Sequence, residues 1–498
     1  MKKASWKLLL VVIFLIGIVQ SFFIIKPIRI PEKSQRGDDY YEMLQHIKII
    51  SAFPHEAGSI ENLAVGGYII QVAEEAGFPV ERLPFTISSE EYEKQIEEIV
   101  GYPLSDEFKK EIRNQSEKFA DMPMENILVK IDQPRSQNAV MFVAHYDSVS
   151  TSYGAGDNGL AVANLLKLSE RFARKEPDND VFILFTDAEE FGLLGAMYFI
   201  EQYPEYKDKV NLFFNFEGRG NAGPVIMFET SGKDYDMMLH LQLSIPQVVS
   251  YSAAAAVYAY MPNGTDFTPF KNAGYKGLNF AMIDGSEHYH RSSDSWTRLD
   301  QDTAWHYFQT VQSLGDYFGS ADLASIEMER ESIFFPVLPG KILVLPDWAG
   351  YVIGFLPAGL VLRLIVWTLR KRKTTISYMR RIFGLLLLGG IPAALTILFF
   401  QGSYLFSIPA LILLIIEFIR MEGERSWIAL EGVGVLASIY SVVILYVPLA
   451  FMIQLALGNF WITAICSIIP VVPIALYIYF FFQDLSNRQM ILDNRKLD

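Results

Sequence analysis

Apolar residues are concentrated at the two ends of this 498-residue chain. Residues 6–25 form one nearly unbroken apolar run, and several more apolar segments follow residue 348. A helix of about 20 apolar residues is long enough to cross a bilayer. Residues 27–330, which lie between, have the composition of a globular domain and can bury a large core. The sequence therefore predicts a folded domain placed between membrane segments.

The first apolar run predicts an uncleaved transmembrane anchor at 6–25, after a short cytoplasmic N-terminus at 1–5. A cleaved signal peptide is the alternative, although the run is long and no clear small-residue cleavage site follows it. We expect about five further helices in a C-terminal transmembrane domain at 349–482, followed by a cytoplasmic tail at 483–498. The candidate segments lie near 349–369, 382–401, 403–419, 427–449 and 460–482.

Basic residues mark one loop of the C-terminal part, between the first two of its apolar segments. They are Arg370, Lys371, Arg372, Lys373, Arg380 and Arg381. Because Lys and Arg accumulate in cytoplasmic loops, this loop should face the cytoplasm. Counting segments back along the chain places the middle domain outside the cytoplasm. We therefore expect a multi-pass protein of the cell membrane, in contact with lipid, with an extracytoplasmic domain.

The charge and the cysteine content narrow the chemistry. The formal net charge is −14, which argues against a nucleic-acid partner, since nucleic-acid binding normally needs a basic face. The chain has a single cysteine, Cys466, and it lies in an apolar stretch. The middle domain therefore has no disulfide and no thiolate ligand. A metal bound there would have to be held by His, Asp or Glu.

The middle domain alternates strand and helix patterns. Continuous apolar runs of this length are typical of strands buried on both faces, and alternation with helices indicates a mostly parallel sheet. The predicted strands are 138–144, 180–186, 210–216 and 278–283, and the clearest helices are 158–174 and 300–318. A segment rich in Glu and Lys, 88–118, predicts a solvated helical insertion.

Polar side chains follow the predicted strands at their carboxyl ends, where open α/β sheets bind ligands. They are His145 and Asp147 after the first strand, Glu189 and Glu190 after the second, Glu217 at the end of the third, and His288 and His290 after the fourth; Asp157 begins the helix at 158. Each has an ordinary alternative, such as a helix N-cap for Asp157 or a solvated first helical turn for the two glutamates. The prediction of a site depends on the whole set.

The set is chemically coherent. Histidines and carboxylates without cysteine suit zinc, with manganese or cobalt as alternatives. One carboxylate can bridge two ions in two-metal hydrolases. Of the adjacent Glu189 and Glu190, one can bind metal while the other serves as a general base. Asp147 is placed to accept the second N–H of the His145 imidazole and so orient that ring.

Five motifs occur in the order seen in the two-zinc aminopeptidases, which the middle domain resembles over roughly residues 40–320. They are HYDS (145–148), GAGDNG (154–159), TDAEEFGLLGA (186–196), Glu217 and YHRSSDS (289–295). That family includes leucyl-type aminopeptidases and glutamate carboxypeptidase. The upstream PHEAGSIEN (54–62) and the multi-helix C-terminus are most similar to the endoplasmic reticulum metallopeptidase branch.

The resemblance implies a three-layer α/β/α domain with a mixed, mostly parallel eight-stranded sheet, plus an all-α transmembrane domain. It implies two Zn²⁺ per chain, and a cis peptide bond at Asp157–Asn158. His145 and Glu217 would bind one ion, Glu190 and His290 the other, and Asp157 would bridge them. Glu189 would be the general base and Asp147 would orient a ligand.

Two positions in this assignment need comment. His290 is preferred to His288 because it stands just before a short stretch that ends in Asp294-Ser295. Glu217 occupies a position where many soluble members have Asp, and the membrane branch often has Glu.

The resulting expectation is a zinc-dependent hydrolase that removes N-terminal residues from a peptide or protein substrate. An acyltransferase of the glutaminyl cyclase type, with a single zinc, is the first alternative. A receptor or scaffold without catalysis is the second, and a transporter the third. The sequence indicates no oligomeric state.

Overall fold

The computed structural model describes residues 36–100, 122–250, 264–338 and 340–349, together with residues 32, 109–110, 116–117, 252, 255 and 258. The membrane segments expected at 6–25 and beyond residue 349 lie outside these residues. Within the described part of the chain, no helix is both long and apolar enough to span a bilayer. The fold reported below is that of one compact unit, Pro27–Ser332 together with Pro339–Val344.

A mixed seven-stranded sheet forms the centre of this unit, in the order β1-β2-β4-β3-β5-β7-β6. The strands are β1 (Val80–Phe85), β2 (Met124–Ile131), β3 (Ala139–His145), β4 (Asp180–Thr186), β5 (Val210–Gly218), β6 (Ala222–Thr230) and β7 (Gly277–Asp284). The contacts β4–β3–β5–β7 are parallel, and β1, β2 and β6 are antiparallel to their neighbours. Among the described residues this sheet therefore has seven strands, one fewer than the eight that the resemblance implies. Two later strands are β8 (Ser332–Leu338) and β9 (Lys341–Pro346).

Nine α-helices occur among the described residues. They are α1 (Asp38–Ile50), α2 (Ile60–Glu75), α3 (Ser89–Val100), α4 (Leu160–Arg174), α5 (Leu194–Gln202), α6 (Glu205–Lys209), α7 (Tyr235–Ser244), α8 (Phe267–Asn272) and α9 (Gln301–Phe318). Local sequence determines where α9 begins. Asp300 caps this helix by accepting the backbone N–H of Thr303, as short polar side chains do at N-caps. The α3 helix falls inside the expected 88–118 insertion.

Aromatic side chains fill both faces of the sheet. Neighbouring strand residues point to opposite faces, so Phe213 and Phe214 of β5 belong to different layers. Phe213 stacks on Phe267 of α8 at 4.8 Å between ring centroids, and Phe214 packs against Phe318 of α9 at the same distance. All four rings are fully buried, each burial stabilising the fold by roughly 1.5–3 kcal/mol. The central strands are therefore a rigid support for the residues at their carboxyl ends.

Candidate metal centre

His145 is the last residue of β3, and its ring is buried. Its Nδ1–H donates to the backbone carbonyl of Asp147 at 3.1 Å. The other ring nitrogen, Nε2, is therefore the one that could bind a metal, and it faces two carboxylates. It lies 3.3 Å from Asp157 Oδ1 and 3.5 Å from Glu217 Oε2. The end of β3 thus presents a buried nitrogen ligand toward acids from two other elements.

Asp157 lies in a wide helical turn, Ala155–Gly159, that leads into α4. Its φ and ψ angles are −117° and 87°, and the Asp157–Asn158 peptide bond is cis, as the resemblance implies. The backbone N–H groups of Gly156 and Asp157 donate to the Asp294 carboxylate at 2.7 and 3.2 Å. The N-cap of α4 is Gly159, without a side-chain cap. Asp157 is therefore not a helix cap, and its carboxylate is directed to the sheet edge.

Asp147 orients the segment that follows β4. Its Oδ1 and Oδ2 accept the backbone N–H groups of Glu189 and Glu190 at 3.1 and 3.2 Å. Sequence reasoning expected the Asp147 side chain to accept the imidazole N–H of His145. In the structure the Asp147 backbone carbonyl makes that hydrogen bond, and Oδ1 lies 3.3 Å from the same nitrogen. One buried carboxylate thereby links the β3 and β4 ends of the site.

The expected ligands form two groups of three, and Asp157 belongs to both. One group is His145, Asp157 and Glu217; the other is Asp157, Glu190 and His290; in each, one potential ligand atom per residue lies within 4.8 Å of the others. His290 Nε2 is 3.0 Å from Glu190 Oε2 and 3.4 Å from Asp157 Oδ2. His288 is placed differently, with its Nδ1 at 2.8 Å from Ser293 Oγ. His290 has a φ of 58°, which is uncommon for a residue other than glycine.

The nitrogen and oxygen atoms of these two groups are arranged to bind a divalent metal rather than to hydrogen-bond with one another. Glu190 Oε1 and His290 Nε2 are buried but make no hydrogen bond of normal geometry. Buried polar atoms are almost always satisfied, so such exceptions indicate an ion or another absent partner. Imidazole nitrogens together with carboxylate oxygens are ligands that zinc prefers. The residues present therefore fit the metal that the resemblance implies.

The pKa shifts of the acidic residues also fit a site that binds a cation. Burial, followed by the neighbouring Asp157 carboxylate, raises the pKa of Glu190 to about 8. Burial also raises the pKa of Glu189 well above its usual value, with Glu217 and Glu190 adding to the effect. Burial acts against the charged forms of Asp157 and His290 too. Contacts with His145 and His290 nevertheless lower the Asp157 pKa to about 2, and contacts with Asp157 and Glu190 raise the His290 pKa to about 9. A bound cation would stabilise the ionised acids of this pocket.

Sequence reasoning missed two buried polar residues of this region. Asp266, just before α8, is fully buried and accepts a hydrogen bond from the Thr186 hydroxyl at the end of β4. Asn215 of β5 is fully buried and donates to Glu217 Oε1 at 2.8 Å. The available signal was a polar residue within or directly before an apolar run, in FFNF and in TDFTPF.

The described domain thus combines a mixed α/β sheet with two clusters of potential metal ligands at one edge. Residues 126–314 match the sequence model of peptidase family M28. The chain is 28% identical over 298 residues to a "Vacuolar membrane protease" of Lodderomyces elongisporus, an alignment that covers 56% of this chain and 30% of the relative. A protein with the same description from Candida dubliniensis is 27% identical over 326 residues, covering 59% and 32%.

The chain thus spans about a third of the length of these relatives. Among solved structures, an aminopeptidase from Aneurinibacillus sp. strain AM-1 superposes with a TM-score of 0.45 and 15% identity. That superposition covers 58% of this chain and 96% of the aminopeptidase.

Proposed function

We propose that this protein is a membrane-bound metallopeptidase that hydrolyses peptide bonds and removes N-terminal residues, using two zinc ions. The observation that carries the proposal is the position of Asp157, which supplies a ligand atom to both three-residue clusters. A carboxylate shared between two metal sites is the arrangement used by two-metal hydrolases. The family match of residues 126–314 supports the same class of reaction.

Each proposed ligand has a stated place in this scheme. His145 and Glu217 would hold one zinc, Glu190 and His290 the other, and Asp157 both. When bound, the two ions would lower the pKa of a water molecule and polarise the peptide carbonyl. Manganese or cobalt would fit the same nitrogen and oxygen donors.

Glu189 would act as the general base. It adjoins Glu190 in the chain, and its backbone N–H is fixed by Asp147 at 3.1 Å. Its carboxylate is close enough to His145, Glu217 and Glu190 for all three to influence its pKa. From there it would take a proton from the attacking water and return it to the amine that leaves when the peptide bond breaks.

The membrane part of the proposal comes from the sequence and from the relatives. The apolar segments at 6–25 and within 349–482 are long enough to cross a bilayer. The relatives from Lodderomyces and Candida carry "membrane protease" in their descriptions. We therefore propose a multi-pass membrane protein whose catalytic domain lies outside the cytoplasm and acts on peptides or proteins that reach that side.

Metal analysis of the purified full-length chain tests the proposal, combined with aminoacyl chromogenic substrates assayed with and without a chelator. We expect two zinc ions per chain and aminopeptidase activity that the chelator removes. Asp157→Ala should lose both ions, because each cluster loses a ligand. The matched control is Asp300→Ala, which removes only the cap of α9 and should keep both ions.

Other outcomes would favour the alternatives. One zinc per chain, with cyclisation of N-terminal glutamine and no peptide hydrolysis, would favour an acyltransferase of the glutaminyl cyclase type. A wild-type chain that binds no metal and cleaves no substrate would favour a receptor or scaffold. Retention of both zinc ions by Asp157→Ala would contradict the shared-ligand arrangement.

A further inference from the structure

The two carboxylate oxygens of Glu217 have different partners. Oε1 accepts a hydrogen bond from Asn215 Nδ2 at 2.8 Å. Oε2 lies 3.5 Å from His145 Nε2, on the side of the first ligand cluster. Both Glu217 and Asn215 are buried, so water does not compete for these contacts. The side chain two residues earlier on β5 therefore determines which oxygen of Glu217 faces the site.

Asn215 is itself held by a row of polar residues across three strands. The strand register pairs Asn215 of β5 with Asn279 of β7, and Asn279 with Glu229 of β6. Asn215 Nδ2 also donates to Asn279 Oδ1 at 3.0 Å, and Asn279 Nδ2 donates to Glu229 Oε2 at 3.1 Å. Lys271 Nζ, at the end of the row, donates to Glu229 Oε1 at 3.1 Å. We call these four residues, Asn215, Asn279, Glu229 and Lys271, the polar row.

The contacts fix the direction of the Asn215 amide. Its Nδ2 faces two acceptor oxygens, Glu217 Oε1 and Asn279 Oδ1. A reversed amide would place Oδ1 against both oxygens, and an oxygen has no proton to donate to them. Asn279 Nδ2 likewise faces the carboxylate oxygen Oε2 of Glu229 at 3.1 Å, which orients the second amide in the same way, and it donates in addition to Thr265 Oγ1 at 2.9 Å.

Three residues of the polar row, Asn215, Asn279 and Glu229, are buried, and burying their polar groups costs free energy. A polar side chain in the core stabilises the fold only when its hydrogen bonds are made, and an apolar residue of similar size avoids that requirement. Here the polar row contacts Glu217 through Asn215. The Glu217 side chain is one methylene longer than that of aspartate. That additional rotatable bond must be ordered before the carboxylate can act as a ligand.

We propose that Asn215, held in turn by Asn279, is a positioning residue that presents Glu217 Oε2 to the metal and thereby sets the affinity of the His145 site. This inference rests on the proposed two-zinc function. Residues that hydrogen-bond a metal ligand commonly change metal affinity by about 10- to 100-fold when they are removed. Asn215 touches neither the metal position nor the substrate in this scheme, and acts only through Glu217.

Zinc titration of the full-length chain, in competition with a chromophoric chelator, tests the inference. Wild-type protein should show two binding phases. Asn215→Ala should weaken one phase by about 10- to 100-fold and leave the other unchanged. Asn215→Asp, which keeps the shape but replaces the donor with an acceptor, should weaken the same phase at least as strongly, and thermal unfolding of both variants checks that the fold is kept. Asn279→Ala should weaken it less, and the double variant should show less than the sum of both effects.

The control is Asn179→Ala, another buried amide, whose Nδ2 donates to the carbonyls of Phe318 and Ala321 away from the ligand clusters. It should reduce thermal stability without changing either zinc phase. The inference is overturned when Asn215→Ala and Asn215→Asp keep both affinities, or when Asn179→Ala weakens zinc binding to the same extent. A wild-type chain that binds two zinc ions but cleaves no peptide would contradict the proposed function, and the zinc comparison would still decide the role of Asn215.

Discussion

Glu189 lies beside both ligand clusters and is a member of neither. We expect Glu189→Gln to keep the fold and both metals, because the amide has the same shape and no ligand is lost. Turnover should fall by about 100- to 10,000-fold, since the proton acceptor is gone. Steady-state kinetics with an aminoacyl chromogenic substrate, together with zinc content, measure the effect.

The control for that variant is Glu287→Gln, which changes a glutamate whose side chain is 63% exposed. It should leave turnover and zinc content as in the parent protein. Glu189→Gln with nearly parental turnover would show that another group accepts the proton.

At the residue scale, the sequence predicts the charged members of the site better than the neutral ones. His145 and Glu217 lie at the carboxyl ends of strands and Asp157 in the turn before a helix, and a buried ionisable residue at these places needs an explanation. Asn215 does not stand out, because one asparagine inside FFNF resembles an ordinary interruption of a strand. Its meaning depends on Asn279, a partner 64 residues away that only the sheet register brings alongside.

At the scale of elements, the central parallel strands could be read from sequence and the outer strands could not. The four predicted runs correspond to β3, β4, β5 and β7, with β4 matching residue for residue. These strands are buried on both faces and therefore have continuous apolar sequences. The edge strand β1, VERLPF, has an irregular pattern of exposure and contains a proline. Proline is tolerated at an edge, but it weakens the strand signal.

Close contact between the end of β5 and the turn before α4 positions Asp157 beside Glu217. A Cβ added at Gly218 would lie 1.9 Å from the backbone oxygen of Gly156, which no packing adjustment of a side chain can relieve. Gly218→Ala should therefore separate the two elements, cost about 1–3 kcal/mol of stability, and lower zinc content. Thermal unfolding and metal analysis of the full-length chain provide both values.

The comparison variant is Gly67→Ala, inside α2, where an added Cβ meets nothing within 4 Å. Alanine is favoured over glycine in a helix interior by roughly 0.5–1 kcal/mol, so this variant should be slightly more stable and keep both zinc ions. If Gly218→Ala behaves like Gly67→Ala, the contact with Gly156 does not hold the site together.

At the scale of the whole molecule, the sequence predicts membrane segments on both sides of the domain described above. Those segments lie outside the described residues, so their number and orientation stay predictions. They follow from hydropathy and from the basic loop at 370–381. The orientation matters for function because it decides which peptides reach the site.

Labelling with a membrane-impermeant maleimide tests the orientation, because the chain has one cysteine, Cys466, that can first be replaced by serine. Ile60→Cys places a thiol on the domain at a residue that is 80% exposed, and Ser377→Cys places one in the basic loop. In intact cells we expect Ile60→Cys to react and Ser377→Cys to react only after permeabilisation. This result follows if Lys and Arg hold the loop at the cytoplasmic face. The opposite pattern would place the domain in the cytoplasm. Reaction of both thiols in intact cells would mean that the predicted span at 349–369, the one between them, does not cross the membrane.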